Sequence, residues 1–510
     1  VEDGVTAGAT LDFYSMLIGA EWRASSDGKT RPVLNPATGE AFAEVAEGTR
    51  EDARAALEAA KAAQPAWEAL SGVQRADYLK RIVELIRADS ERLARLVVQE
   101  QGKPLVEARG EIGGTAGFFE YFTTFARAQK GEIFASDNAN EDIWIRNVPF
   151  GVVVGIIPWN YPAALFARKV APALMAGNTI VVKPHEDTPL SAIELARICE
   201  AAGLPPGVVN VVTGAGTVVG DALVRDRITQ LVTVTGSVRA GREILAAAAQ
   251  NITVVSLELG GKAPFIVMDD ANVEVAVRNA IHARFVNCGQ VCTCNERTYV
   301  HRRVYDRFVE RYAAITGGLR LGNPMRTDID IGPKVNQMEL EKLERMVARA
   351  QEQGAEVVVG GKRPEGEEFQ KGFWYAPTVL TNVSNDMDIM QQEIFGPISP
   401  VMPFDDFEEA ITLANDTPYG LTTYLFTNDL KRMMRAVQAV RSGEIYINKI
   451  GPEQFQGFHT GYGLSGMGGD DGPHGFDHYF RKKTVYVNYG ETGTEGLMPY
   501  TTPATDLPPQ

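Results

Sequence analysis

Cysteine is scarce in this sequence. Four occur in 510 residues, Cys199, Cys288, Cys292 and Cys294. That is too few for a disulfide-built scaffold and fits a reducing, cytoplasmic compartment. Cys288, Cys292 and Cys294 lie close together, but Cys-x3-Cys-x-Cys matches no usual zinc spacing. His282 and His301 are not at ligand spacing from them either, so no metal is expected. Positive charge is also short: 50 Lys and Arg against 65 Asp and Glu leave a net charge of −15. That field repels a polyanion and excludes nucleic acid as a partner. Apolar runs long enough to span a bilayer are missing, which excludes a helical membrane span. Residues 1–10 are polar and acidic, with no basic region followed by an apolar core, so no secretory signal is expected there. The missing initiator Met reads as trimming or processing. The Gly-x-Gly-x-x-Gly dinucleotide fingerprint is missing as well.

What is present points to more than one domain, because 510 residues exceed a single compact core. Residues 51–100 are rich in Ala, Leu, Glu and Arg. Leu79, Ile82 and Ile86, then Leu93, Leu96 and Val97, recur at helical spacing. Two or three amphipathic helices are predicted there, with Thr49 as the first N-cap. From Gly151 short β-branched runs appear at 152–157, 179–182, 208–212 and 231–234, separated by helical stretches at 163–175, 191–202 and 240–249. This alternation predicts βαβ units in a doubly wound parallel sheet. A second α/β pattern follows Lys262, with strands at 265–268 and 297–301 and helices at 275–285, 305–316 and 338–352. Two strand-like pieces, 143–148 and 484–487, fall outside either pattern and are expected to dock elsewhere, on a partner subunit. The Pro- and Thr-containing tail, 491–510, reads as an extended arm.

Several residues could carry chemistry. Cys292 is a potential thiolate nucleophile, and Gly289 permits an unusual turn before it; the plainer reading is a small buried hydrophobe. Glu258 stands between two leucines and ahead of a double glycine. Burial would raise its pKa and suit it to base catalysis, while the alternative is an exposed strand end. Asn160 sits between prolines at the carboxyl end of a predicted strand, as an amide donor for an oxyanion or as a turn former. Lys183 and Glu186 close the next strand. Gly236 and Ser237 close another and open a helix whose N–H groups could face a phosphate.

The order and spacing of six segments resemble the aldehyde dehydrogenase superfamily over residues 17–489. They are Pro158-Trp-Asn-Tyr-Pro162, Lys183-Pro-His-Glu186, Thr235-Gly-Ser237, Leu257-Glu-Leu-Gly-Gly-Lys262, Asn287-Cys-Gly-Gln-Val-Cys292 and Glu393-Ile-Phe-Gly-Pro397. The resemblance implies a Rossmann-like NAD-binding domain (1–130 and 150–260), an α/β catalytic domain (261–478) and oligomerisation segments (131–149 and 479–490). A homodimer or homotetramer is the family norm. It implies Cys292 as nucleophile, Asn160 as oxyanion donor with the Cys292 N–H, and Glu258 as the base that hydrolyses a thioester. It implies Ile157, Trp159, Lys183, Glu186, Gly236, Ser237, Glu393 and Phe395 as cofactor contacts. A carboxylate at Glu186 favours NAD over NADP, whose 2′-phosphate it would repel.

Within the superfamily the sequence resembles the lactaldehyde/glycolaldehyde branch, through Gln456-Gly-Phe-His459, Glu453 and Arg168. That implies a small 2-hydroxyaldehyde held by Arg168, Glu453 and His459; the plainer reading is an Arg168–Glu453 ion pair. Thr293, Tyr161, His185 and Gly469-Asp470 depart from the family pattern; the first two leave other aldehydes open, aromatic, long-chain or polyether-derived, and the last bears on the subunit contact or a proton path. A CoA-acylating enzyme would tend to lack Glu258. A non-catalytic NAD-binding relative would be expected to lose Cys292, Asn160 or Glu258. A thiol hydrolase would need a histidine beside Cys292, and none is obviously placed for it in sequence.

Overall fold

The structure, a computed structural model, describes residues 11–490. Its largest sheet runs in the order Gly466–Met467, Val254–Glu258, Leu231–Thr235, Val152–Ile156, Thr179–Lys183, Val209–Val211, Met16–Ile18, Glu21–Arg23. The five strands from Val254–Glu258 to Val209–Val211 are parallel. They are the four predicted β-branched runs plus the strand that ends in Glu258. Their pleat sends alternate residues to opposite faces. Val153, Ile180 and Val182 pack under helices Pro162–Ala176 and Leu190–Ala201, whereas Val152, Val154 and Val181 meet Arg50–Glu68 and Val238–Ala248. Burial on both faces is why these strands read as unbroken apolar runs.

The second sheet has the order Glu356–Val359, Thr378–Thr381, Ile398–Phe404, Asn295–His301, Ala263–Val267, Thr422–Phe426, Glu444–Ile447. Its first pair is antiparallel and the rest are parallel. Only two of these seven strands were expected from sequence.

Residues 51–100 form three helices, Arg50–Glu68, Gly72–Ala88 and Ser90–Gln101. Thr49 caps the first through a capping box: its Oγ1 accepts from Asp52 N at 3.2 Å, and its N–H donates to Asp52 Oδ2 at 3.0 Å. The two unassigned pieces meet each other. Glu141–Pro149 runs antiparallel between Gly131–Ala135 and Phe480–Asn488, in a three-stranded sheet apart from both others. The predicted arm at 491–510 and the N-terminal segment 1–10 lie outside the described residues. Among the described residues no helix is long and apolar enough to cross a membrane. The fold is α/β: a Rossmann-like sheet, a second α/β sheet and a hairpin sheet.

Candidate active site

The first sheet delivers its chemistry along one edge. Asn160 follows Val152–Ile156, Lys183 ends Thr179–Lys183, Gly236 and Ser237 follow Leu231–Thr235, and Glu258 ends Val254–Glu258. All four strands are adjacent and parallel, so their carboxyl ends share one rim, where ligands of open α/β sheets bind. Loops of the second sheet face that rim. Together they line a cavity of about 650 Å³ that contains Trp159, Asn160, Glu258, Cys292, Glu393 and His459. Gly236, Ser237, Phe395, Arg168 and Glu453 border the same space.

The loop before Cys292 has three consecutive left-handed residues, Asn287 (φ 50°), Cys288 (φ 56°) and Gly289 (φ 71°). A left-handed conformation costs a non-glycine residue about 1–2 kcal/mol, so neighbours must hold it. Asn287 N donates to Glu107 Oε2 at 2.8 Å, and Asn287 Nδ2 donates to Asn160 O at 2.9 Å. The buried Arg284 donates to Gly289 O at 3.0 Å and to Gly396 O at 2.6 Å. A Cβ at Gly289 would strike the Gly396 carbonyl. The double glycine after Glu258 has a similar cause: a Cβ on Gly260 would strike the Glu393 carboxylate, and one on Gly261 the Cys292 carbonyl. Gly261 N donates to Glu393 Oε1 at 2.7 Å.

A buried ion cluster ties these pieces together. Glu296 accepts from Lys262 Nζ at 2.9 Å, Arg284 Nη1 at 3.0 Å, Ile394 N at 2.7 Å and Phe395 N at 3.0 Å. Despite burial, those partners hold its pKa down at about 2. Asn160 is fixed as firmly. Its carbonyl accepts from Lys103 Nζ at 2.8 Å, and its Nδ2 donates to Gln290 O at 2.9 Å. Glu111 Oε1 accepts from Ala163 N at 2.9 Å, a carboxylate at the positive end of the helix that follows Asn160.

Cys292 is the one partly exposed cysteine among the described residues; Cys199, Cys288 and Cys294 are buried. Burial pushes the Cys288 and Cys294 thiols up to about 12, which makes them inert as nucleophiles. Glu258 is buried with neither carboxylate oxygen hydrogen-bonded. Burial pushes its pKa up to about 8, with Asp470 adding to the rise and His459, Lys169 and Arg168 opposing it.

His459 corrects one expectation, because a histidine does stand beside Cys292. Its Nε2 lies 3.6 Å from Glu258 Oε2, and its Nδ1 lies 3.2 Å from Glu444 Oε1. Burial alone would lower its pKa. Contacts with the Cys292 side chain and Glu444, together with the charges of Glu258 and Glu444, hold it well above the ordinary histidine value.

Arg168 does pair with Glu453, at 2.7 Å, but a second carboxylate was not foreseen: Asp471 Oδ1 accepts from Arg168 Nε at 3.0 Å. Asp470, one of the departures from the family pattern, receives Lys169 Nζ at 2.6 Å. Lys183 and Glu186 lie beyond the cavity on the same rim. Lys183 Nζ donates to Glu186 Oε1 at 3.0 Å, and Gly216 N donates to the same oxygen. Ile157 turns into the apolar core, and its N–H donates to Lys183 O at 3.1 Å. Trp159 meets Phe395 edge-on, with ring centroids 5.3 Å apart. Ser237 Oγ caps helix Val238–Ala248 by accepting from Ala240 N at 3.2 Å. Lys262, Arg284, Glu296, Glu107, Asp471 and Glu444 were not singled out as functional from sequence. The available signal was charge inside the stretch that leads into the apolar Tyr299 and Val300, as at Glu296. Among the described residues no group of three or more His, Cys, Asp or Glu is arranged to hold a metal ion.

Known proteins place this geometry. The family model "Aldehyde dehydrogenase family" matches residues 22–485. The chain is 50% identical over 476 residues to 3,6-anhydro-alpha-L-galactose dehydrogenase of Vibrio sp. (strain EJY3), covering 93% of this chain and 99% of the relative. It is 47% identical over 456 residues to lactaldehyde dehydrogenase of Escherichia coli (strain K12), covering 89% and 94%. A solved structure of 3,6-anhydro-L-galactose dehydrogenase in complex with NAP, the NADP nucleotide, superposes with a TM-score of 0.92 at 50% identity and covers 94% of this chain and 100% of that one. With five of the six segments around one cavity, the sixth beyond it on the same rim, and the family model spanning most of the sequence, this chain belongs to the aldehyde dehydrogenase family.

Proposed function

We propose that this chain oxidises an aldehyde to its carboxylic acid through a thiohemiacetal and a thioester on Cys292. The Cys292 thiolate attacks the aldehyde carbon. Asn160 Nδ2 and the Cys292 N–H receive the developing oxyanion. A bound nicotinamide dinucleotide supplies the hydride acceptor. Glu258 then removes a proton from water, which attacks the thioester, releases the acid and frees the thiol. The observation that carries this reading is an unpartnered, buried Glu258 carboxylate in the same cavity as the one partly exposed cysteine.

The residues present fit a dinucleotide. Gly236 and Ser237 open a helix N-terminus that would take a pyrophosphate, Lys183 and Glu186 would meet the adenosine ribose, and Glu393 and Phe395 the nicotinamide end, with Trp159 beside Phe395; Ile157, its side chain in the core, would offer only its backbone. The first sheet would serve as the cofactor domain and the second as the catalytic domain. NAD is proposed over NADP, because Glu186 stays ionised, with a pKa of about 2, and would face a 2′-phosphate. Comparable kcat/KM with NADP would refute that preference; relatives specific for NADP, such as the D-glyceraldehyde dehydrogenase of Picrophilus torridus, make the comparison worth running.

The proposed substrate is a 2-hydroxyaldehyde, lactaldehyde or glycolaldehyde in the simplest case. Arg168, Glu453 and His459 line the cavity beside Cys292 and can hydrogen-bond a hydroxyl next to the reacting carbon. The aldehydes in the names of relatives that act on lactaldehyde, D-glyceraldehyde and 3,6-anhydro-galactose all carry that hydroxyl. A bulkier aromatic or long-chain aldehyde is the second reading, favoured by the Phe118–Phe455 pair on the cavity wall. Rates of cofactor reduction across glycolaldehyde, lactaldehyde, an alkanal series and benzaldehydes decide between them. Higher kcat/KM for the hydroxyaldehydes supports the first reading; a preference for the aromatic or long members removes it.

A further inference from the structure

We propose that Glu444 is a positioning residue that holds His459 as an imidazolium between Cys292 and Glu258, one buried cation shared by the nucleophile and the base. The inference rests on Cys292 and Glu258 in the roles given above. It begins with strand Glu444–Ile447, at the edge of the second sheet beside Thr422–Phe426. Glu444 opens that strand with its side chain largely buried. Its Oε2 accepts from Thr422 Oγ1 at 3.1 Å, and Tyr446 OH lies 3.5 Å from the same oxygen. Its Oε1 is thereby aimed at His459 Nδ1, 3.2 Å away.

His459 has little freedom to respond otherwise. It is 2% exposed, and its backbone is clamped to Asp470 by reciprocal bonds of 3.0 and 2.9 Å. The ring therefore presents Nδ1 to Glu444 and Nε2 to Glu258 at ion-pair distance, neither contact aligned as a hydrogen bond in this structure, with the Cys292 side chain beside it. A neutral imidazole would leave one ring nitrogen's lone pair against a carboxylate, whereas the imidazolium turns an N–H to both. An imidazolium beside a thiol favours the thiolate, as in thiol enzymes that pair Cys with His. The same charge opposes the burial that keeps Glu258 protonated.

The other charges around the ring divide into two groups. Glu258, Glu444, Glu453 and Asp470 are acidic; Arg168 and Lys169 are basic but already bound to Glu453, Asp471 and Asp470. Acidic charge thus dominates what His459 faces. Removing Glu444 takes away the carboxylate nearest to Nδ1 and leaves Glu258 as the one within 4 Å of the ring nitrogens.

The test is the pH dependence of Cys292 alkylation by iodoacetamide in the cofactor-free enzyme, read by peptide mass spectrometry. Glu444→Gln keeps the volume and removes the charge. The His459 pKa is expected to fall by about 1–3 units, the usual effect of losing a nearby opposite charge, and the alkylation midpoint to rise with it, with the high-pH plateau unchanged. Glu444→Asp is expected to return the midpoint part of the way. A Glu444→Gln profile that superposes on wild type overturns the proposal, and so does a lowered plateau with an unmoved midpoint. Should Glu444→Gln fail to fold, the wild-type protein carries the test through 13C-labelled histidine, since the sequence has only six. A His459 ring that stays imidazolium above pH 8 supports the proposal; one that turns neutral below pH 7 overturns it. Failure of the proposed function is separately visible, as aldehyde oxidation that survives Cys292→Ala.

Discussion

At Glu258, a carboxylate without a hydrogen-bond partner is held inside the protein next to a positively biased histidine. Its burial decides when it can act. Only the ionised form can take a proton from water, so hydrolysis of the acyl-enzyme should rise with pH through about 8. Single-turnover deacylation measured from pH 6 to 9.5 checks this, and a flat profile counts against Glu258 as the base. Glu258→Gln should leave one rapid equivalent of reduced cofactor per active site and then slow sharply; stopped-flow absorbance reads both phases. Asn160→Ala should lower kcat by about 10²–10³-fold, the usual loss for one oxyanion donor. Wild-type-like kcat would remove Asn160 from that role. At this scale Cys292, Glu258 and Asn160 were legible only through the order and spacing of the six segments that resemble the family, since each residue alone has a plainer structural reading. Glu444 was not, because a glutamate that opens a strand looks like any solvent-facing strand end until the fold puts Thr422 and His459 against it.

At the scale of elements, the cofactor sheet was readable and much of the catalytic sheet was not. Runs such as 152–157 and 179–182 are apolar because both faces of a parallel sheet are covered. Strand Thr422–Phe426 is equally buried but opens on two threonines, and Asn295–His301 carries Glu296 and Arg297 within a fully buried strand. Those charges are satisfied by partners spread along the chain, from Arg284, 12 positions from Glu296, to Leu413, 116 from Arg297, so no local pattern reveals the pairing. The element they stabilise is testable. Glu296→Gln leaves Lys262 and Arg284 buried beside a neutral amide and should lower stability by about 3–5 kcal/mol, as removal of one member of a buried ion pair does. Equilibrium denaturation measures it, and an unchanged midpoint would show that the cluster is not what holds the two loops. Thr49→Ala removes half of a capping box and should cost only about 1 kcal/mol.

For the whole molecule, the three-stranded sheet of Gly131–Ala135, Glu141–Pro149 and Phe480–Asn488 stands apart from the two larger sheets and exposes apolar side chains. Ile133 is 73% exposed and Tyr486 66%, with Phe134 and Trp144 also open to solvent. Apolar side chains in that density on a small sheet mark an interaction surface. We infer that a second copy covers it, in a homodimer or homotetramer. Ile133→Asp should shift the mass measured by light scattering towards the monomer, while an unaltered mass would place the subunit contact elsewhere.

Arg284 grips two carbonyls at once, Gly289 O beside the thiol loop and Gly396 O in the turn that carries Glu393 and Phe395. A guanidinium is planar and rigid, so neither carbonyl can shift without disturbing the other. The thiol loop and the turn proposed to hold the nicotinamide are therefore mechanically joined, and thermodynamic linkage would apply to their ligands. A reversible thiol ligand that tightens cofactor binding by some factor must itself be bound more tightly by that same factor when cofactor is present.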